Sequence, residues 1–262
     1  PGATHPPGTG HDNIIRANSG ANLLAGAPGA DRMKGGDGDD TYVVDDVADV
    51  VDETSATGGT GLVPSRVSYV LGANVENLTL TGGDAVDGTG NALANVIIGN
   101  GAANILNGAA GADEMRGGGG DDVYVVDNAG DKAIENNASG GIDLVISSVS
   151  FTLGDHLDNL TLSGKDAIDG TGNALANLIA GNGAANILDG RGGADEMRGG
   201  GGGDTHVGGQ SRGGGVQKKG GGGGDLVMSS VGFVLGDHLE NLTLTGGGSI
   251  DGTGNALANL II

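Results

Sequence analysis

Cysteine is absent from the 262 residues, so neither disulfides nor thiol chemistry can operate in this chain. Tryptophan is also absent, and aromatic residues make up only 2%. Large rings normally supply much of a globular core's burial, so a conventional core is excluded. Proline is scarce, at five residues, and the 59 glycines follow no G-X-Y period, which excludes collagen. Basic residues are few: 12 Lys and Arg against 33 Asp and Glu give a formal net charge of −21. That balance argues against nucleic acid or an anionic membrane as partner and predicts a chain that repels itself until cations arrive. No apolar run approaches the roughly 20 residues needed to cross a bilayer, so no membrane span is expected. Residues 1–10 lack the basic-then-apolar layout of a signal peptide, so any export address is expected elsewhere. H-E-x-x-H does not occur, and no enzymatic activity is expected.

What the chain does contain is glycine and aspartate in strict order. Residues 35–43 read GGDGDDTYV. Consecutive glycines let a backbone turn through conformations closed to other residues, including positive φ. Carbonyl oxygens can then converge beside the Asp40 carboxylate, and an oxygen-only ligand set in a flexible loop suits a hard cation of calcium's size. The last three residues, Thr41 to Val43, form a short strand with Tyr42 turned inward. Loop and strand together make half a coil.

The pattern recurs on two scales. The segment from Asp87 to Asn95 returns from Asp169 and again from Asp251, at the same interval each time. The chain therefore divides into a Pro-rich segment 1–7, units 8–89, 90–171 and 172–253, and the start of a fourth at 254–262. Fixed-period self-similarity signals a solenoid whose units bury their apolar faces on one another. Within each unit a nine-residue period runs through Ile15, Leu24, Met33 and Tyr42, behind Asn13, Asn22, Asp31 and Asp40. The second unit repeats it with Ile97, Leu106, Met115 and Tyr124, and the third with Ile179, Leu188, Met197 and His206.

Two nonapeptides per coil would stack equivalent residues of alternate nonapeptides at the strand spacing of about 4.8 Å. The expected fold is all-β, a parallel β-roll or β-solenoid of nonapeptide half-coils within 82-residue units, almost without helix. Stacking places Asp31 over Asp49 and Asp113 over Asp131, two carboxylates for a shared ion, whereas Asp195 meets Gly213. The later half of each unit alternates with period two at Val67, Tyr69 and Leu71, then at Leu78 and Leu80, which predicts longer half-buried strands. Val86, Ile168 and Ile250 mark a further short strand. Residues 208–224 break the pattern: ten of seventeen are glycine and none is acidic. A flexible Gly-rich loop explains this, and so does a frame shift, since the codons of Gly208 to Arg212 read one base later can restore a turn like that at Val126 to Gly130.

Several tempting residues have plainer readings. His156 and His238 sit in Gly-Asp-His-Leu without the three or four converging ligands that zinc requires. The sequon at Asn77 and its copies lie in strand context and are read as structural, as are Ser147 and its counterparts. The Asn columns at the coil corners are read as hydrogen-bonded ladders rather than ligands.

With GGDGDDTYV at 35–43, GGGGDDVYV at 117–125 and the weaker GGGGGDTHV at 199–207, the chain resembles the hemolysin-type calcium-binding repeats of RTX proteins. The resemblance implies a parallel β-roll, Ca2+ as the bound ion, folding driven by calcium, and an extracellular or bacterial cell-surface location reached by type I secretion. It also implies the ligands: carbonyls of Gly36 and Gly38 with Asp40, of Gly118 and Gly120 with Asp122, and of Gly200 and Gly202 with Asp204. Gly29 with Asp31, Gly111 with Asp113, and Gly193 with Asp195 match in part, because Ala27, Ala109 and Arg191 replace the second glycine. Two functions follow from such repeats, a calcium-stiffened structural segment of a surface layer, adhesin stalk or filament, or the calcium-triggered folding module of a secreted hydrolase. Uniform long repeats favour the first. Exposed strand edges at the ends of such a stack would also pair copies end to end.

Overall fold

A computed structural model describes residues 8–54, 58–136, 140–208, 214–215 and 223–262. Among these residues there is no helix, and every strand pairing in both halves is parallel. The chain is the expected β-solenoid. It divides into two compact units, Pro1–Gly141 and Ile142–Ile262, whose border does not follow the long sequence period.

The described residues of the first unit form β1 (Ile14–Arg16), β2 (Leu23–Ala25), β3 (Arg32–Lys34), β4 (Thr41–Val43), β5 (Val50–Val51), β6 (Leu62–Ser65) and β7 (Tyr69–Val70). They continue with β8 (Asn77–Leu80), β9 (Gly88–Thr89), β10 (Val96–Ile98), β11 (Ile105–Asn107), β12 (Glu114–Arg116), β13 (Val123–Val126) and β14 (Lys132–Ile134). Neighbours in sequence do not pair; alternate strands do, because each coil returns to the same face. One ladder is β1-β3-β5, the facing one runs β2-β4-β6-β8-β10-β12-β14, and β7-β9-β11-β13 forms a third. Where nonapeptides repeat, one coil is a pair of them: Ile15 lies beside Met33, Met33 beside Val51, and Leu24 beside Tyr42.

The later half of each long repeat abandons that register. Thr41 pairs with Leu62, Leu62 with Asn77, and Asn77 with Val96. Relative to a pair of nonapeptides, successive coils are therefore longer, then shorter, then slightly longer again. The strand expected around Val67 is displaced. The chain is extended at Leu62–Ser65, turns at Arg66 and Val67, and resumes only at Tyr69–Val70. Pro64 and a buried serine hide this strand from a hydrophobic reading. Pro64 faces outward and its carbonyl accepts the Val44 N–H at 3.0 Å. Ser65 points inward, and its hydroxyl donates to the Val67 carbonyl at 2.7 Å, closing the turn. The short strand near Val86 lies at Gly88–Thr89, with Val86 buried just before it.

One side chain per half-coil fills the interior. Leu24, Tyr42, Val63, Leu78, Ile97, Met115 and Ala133 stack along the long ladder, all buried. Each buried aliphatic side chain contributes about 1.5–3 kcal/mol, so the narrow core grows by length rather than width. The long repeat contains an odd number of half-coils. Ile15 belongs to the β1 ladder, whereas its counterpart Ile97 belongs to the facing ladder with β2 and β4.

In the second unit, Leu144–Ser147, Asn159–Leu162, Leu178–Ala180, Glu196–Arg198 and Gly214–Gly215 form one ladder. Phe151–Thr152, Gly170–Thr171, Ile187–Asp189, Thr205–Gly208, Leu226–Ser229, Asn241–Leu244 and Leu260–Ile261 form another. Most of the Gly-rich stretch at 208–224, with Gly213 and the frame-shift question, lies outside the described residues. Gly214 and Gly215 pair with Glu196 and Met197, keeping the nonapeptide register.

Candidate metal centre

The loops that lead into the strands are built on positive φ. All nine glycines expected to supply carbonyls adopt it: Gly29, Gly36, Gly38, Gly111, Gly118, Gly120, Gly193, Gly200 and Gly202. At Gly38 a second constraint acts, because a methyl group there would run into the backbone of Gly20 and Ala21, 2.7 and 2.9 Å away. The turn survives at the three imperfect loops as well. Ala27, Ala109 and Arg191 take left-handed φ of 65°, 58° and 56°, at a cost of about 1–2 kcal/mol each.

Each loop ends in a residue whose carboxylate reaches back one coil. Asp31 Oδ1 accepts the Asn13 N–H at 2.7 Å, Asp40 Oδ1 that of Asn22 at 2.8 Å, and Asp113 Oδ1 that of Asn95 at 2.7 Å. Asp122, Asp195 and Asp204 repeat the contact with Asn104, Asn177 and Asn186. The other oxygen, Oδ2, of Asp31, Asp40 and Asp113 is buried and has no hydrogen-bond partner. It lies folded over the first glycine of its own loop: a methyl at Gly26, Gly35 or Gly108 would collide with it. A buried, acceptor-only oxygen without a donor lacks a positive partner, and a hard cation supplies one. Burial accordingly raises the pKa values of Asp31, Asp40 and Asp195, and that of Asp113 to about 6.

Asparagine at the same corner makes the contrast. Asn104 Nδ2 donates to the Val86 carbonyl at 2.6 Å, and its Oδ1 accepts the Asn100 N–H at 2.9 Å. Asn95, Asn177 and Asn186 do the same with neighbouring carbonyls. The Asn95 amide carries its own donor where Asp113, one coil later, presents a bare oxygen.

Asp49 and Asp131 follow the expected register but differ in what they hold. Asp49 Oδ1 accepts the Asp31 N–H at 2.9 Å, and its Oδ2 accepts those of Asp45 and Asp46 at 3.2 and 3.3 Å. Asp131 is arranged identically with Asp113, Asp127 and Asn128. Both are satisfied by backbone amides and have no orphaned oxygen. His156 and His238 occupy left-handed turn positions, equivalent to Asn74, and among the described residues neither joins a group of three ligand-bearing side chains. Ser147 closes a turn with Val149. Asn77 and Asn241 donate to carbonyls of the preceding coil at 3.2 and 3.1 Å.

Sequence reasoning passed over Glu53, Glu135, Asp143 and Asp225, all of them buried. Glu53 and Glu135 are separated by one long repeat, as are Asp143 and Asp225, so the long period marked them. The extra length of the coil after Tyr42 hid them from a nine-residue count.

The family model of the RTX calcium-binding nonapeptide repeat (4 copies) matches residues 7–42, 89–124 and 171–205. The chain carries RTX-type calcium-binding repeats. Its ion is calcium. The RTX matches end at Tyr42, Tyr124 and Thr205, just before the coil lengthens. No curated protein and no solved structure matches the chain. Among the described residues no helix is long and apolar enough to cross a membrane.

Proposed function

We propose that this chain is a calcium-stiffened structural segment of an extracellular or cell-surface protein, part of a surface layer, adhesin stalk or filament, and performs no catalysis. The ions are held between stacked loops by the carbonyls of Gly36, Gly38, Gly118, Gly120, Gly200 and Gly202 and the carboxylates of Asp40, Asp122 and Asp204. The loops of Asp31, Asp113 and Asp195 hold further ions with the carbonyls of Gly29, Gly111 and Gly193. The observation behind this reading is the orphaned Oδ2 of Asp31, Asp40 and Asp113, buried over left-handed loops. Without an ion those oxygens are costly, and the chain's −21 charge opposes compaction. An ion that binds only the folded state stabilises it by RT ln(1 + [L]/Kd).

The expected outcome is a largely unfolded chain in chelator and a β-rich circular dichroism spectrum in millimolar calcium, the range of extracellular modules. The same spectrum in both conditions would refute it.

A further inference from the structure

The nonapeptide run ends at Tyr42, yet the coil after it returns to the same place with a different residue. Asp52 N–H donates to the Met33 carbonyl at 2.9 Å, continuing the β3–β5 register. That register sets Glu53 one coil beyond Gly35, the first glycine of the loop that ends in Asp40. Glu53 is 8% exposed, and its backbone carbonyl is anchored by Asn74 Nδ2 at 3.0 Å. Its side chain turns into the solenoid, where Glu53 Oε1 accepts the hydroxyl proton of the fully buried Tyr42. A methyl at Gly35 would strike both that hydroxyl and Asp40 Oδ2, so the three groups converge in the space glycine leaves. The phenol has one proton and gives it to Glu53. Asp40 Oδ2, on a residue 1% exposed, is left with none. Among the described residues neither carboxylate is paired with Lys or Arg.

The arrangement is built twice. In the second run Tyr124 donates to Glu135, the Gly117 N–H donates to the Tyr124 hydroxyl oxygen at 2.8 Å, and a methyl at Gly117 would strike Asp122, Tyr124 and Glu135 together. Oxygens of Asp122 and Glu135 lie within 4.8 Å of one another. Burial first, and the facing Asp40 carboxylate with it, raise the pKa of Glu53.

We propose that Glu53 with Asp40, and Glu135 with Asp122, are paired carboxylate ligands of a calcium ion that closes each nonapeptide run, a ligand the nine-residue motif does not contain. Glu53 stands within a coil longer than a pair of nonapeptides, since Thr41 pairs with Leu62. Tyr42 and Tyr124 are positioning residues that fix the glutamate rotamer. The proposal rests on the calcium reading given above, since Asp40 and Asp122 are shared with it.

The test is calorimetric titration of the full chain with calcium, comparing wild type with Glu53→Gln, Glu135→Gln and the double variant. Glutamine keeps the tyrosine's acceptor, so the fold has no reason to fail. Each substitution is expected to remove one tight ion or weaken it on the order of tenfold or more, as ligand charge falls, while the other sites and the calcium-induced spectrum persist. Tyr42→Phe, which keeps both carboxylates, should retain the ion count. Should the double variant not fold, the single variants decide. Unchanged stoichiometry and affinity in the glutamine variants would overturn the proposal and leave the loop sites standing. A wild type that takes up no calcium would overturn both readings.

Discussion

His206 stands where Tyr42 and Tyr124 stand in the earlier repeats, beside Leu188 and Val227, and is fully buried with neither ring nitrogen partnered. Burial alone drives its pKa down to about 4, so the ring sits neutral in an apolar slot. An unpartnered buried polar group costs about 1–3 kcal/mol. His206→Leu is therefore expected to raise stability by about 1–2 kcal/mol, read as a higher urea midpoint in saturating calcium. No change or a loss would mean that the imidazole has a partner in solution. At this scale the sequence was legible in part. The inward column and the corner aspartates could be read directly, because side-chain direction follows spacing. The division of labour between Asp31 and Asp49 could not, because it depends on whether loop amides at Asp45 and Asp46 reach the carboxylate.

Among the elements, the glycine loop fixes the fold's tolerance. Ala109 carries a left-handed φ with a side chain, and glycine there removes the strain while adding freedom to the unfolded chain. Ala109→Gly is expected to stabilise by about 0.5–1 kcal/mol. Gly120→Ala is expected to destabilise by several times that, because its methyl would meet Ala102 and Ala103 backbone atoms at 2.5 Å as well as a forbidden φ. Equal and small effects at the two positions, measured by chemical denaturation, would argue against the stacked-loop geometry. Strands preceded by Gly-x-Asp were legible because one loop chemistry recurs with every nonapeptide. The Leu62–Ser65 strand was not, since its inward Ser65 is held by hydrogen bonding to Val67 rather than by hydrophobicity.

At the scale of the whole molecule, protons are expected to compete with calcium for the same carboxylates, and either neutralises them. Without calcium the folded Asp113 titrates near 6 instead of 3.8, so between those values the folded state binds more protons than the unfolded state. Stability of the calcium-free fold therefore rises as pH falls through 6 towards 4, with Asp31, Asp40 and Asp195 shifted in the same direction. In chelator, acidification from pH 7 to pH 4.5 is expected to restore part of the β-rich spectrum, whereas in limiting calcium the same acidification should expel ions. A chelated chain that stays unfolded down to pH 4.5 would show that neutralising these aspartates does not suffice. The odd number of half-coils per repeat bears on how this protein meets other surfaces. Leu23 and Ile105, 43% and 47% exposed, are counterparts one long repeat apart, yet they sit in facing ladders of the first compact unit. Within that unit, a feature inscribed once per repeat thus falls on opposite sides, like the teeth of a saw. A receptor approaching that unit from one side would meet only one of the two copies.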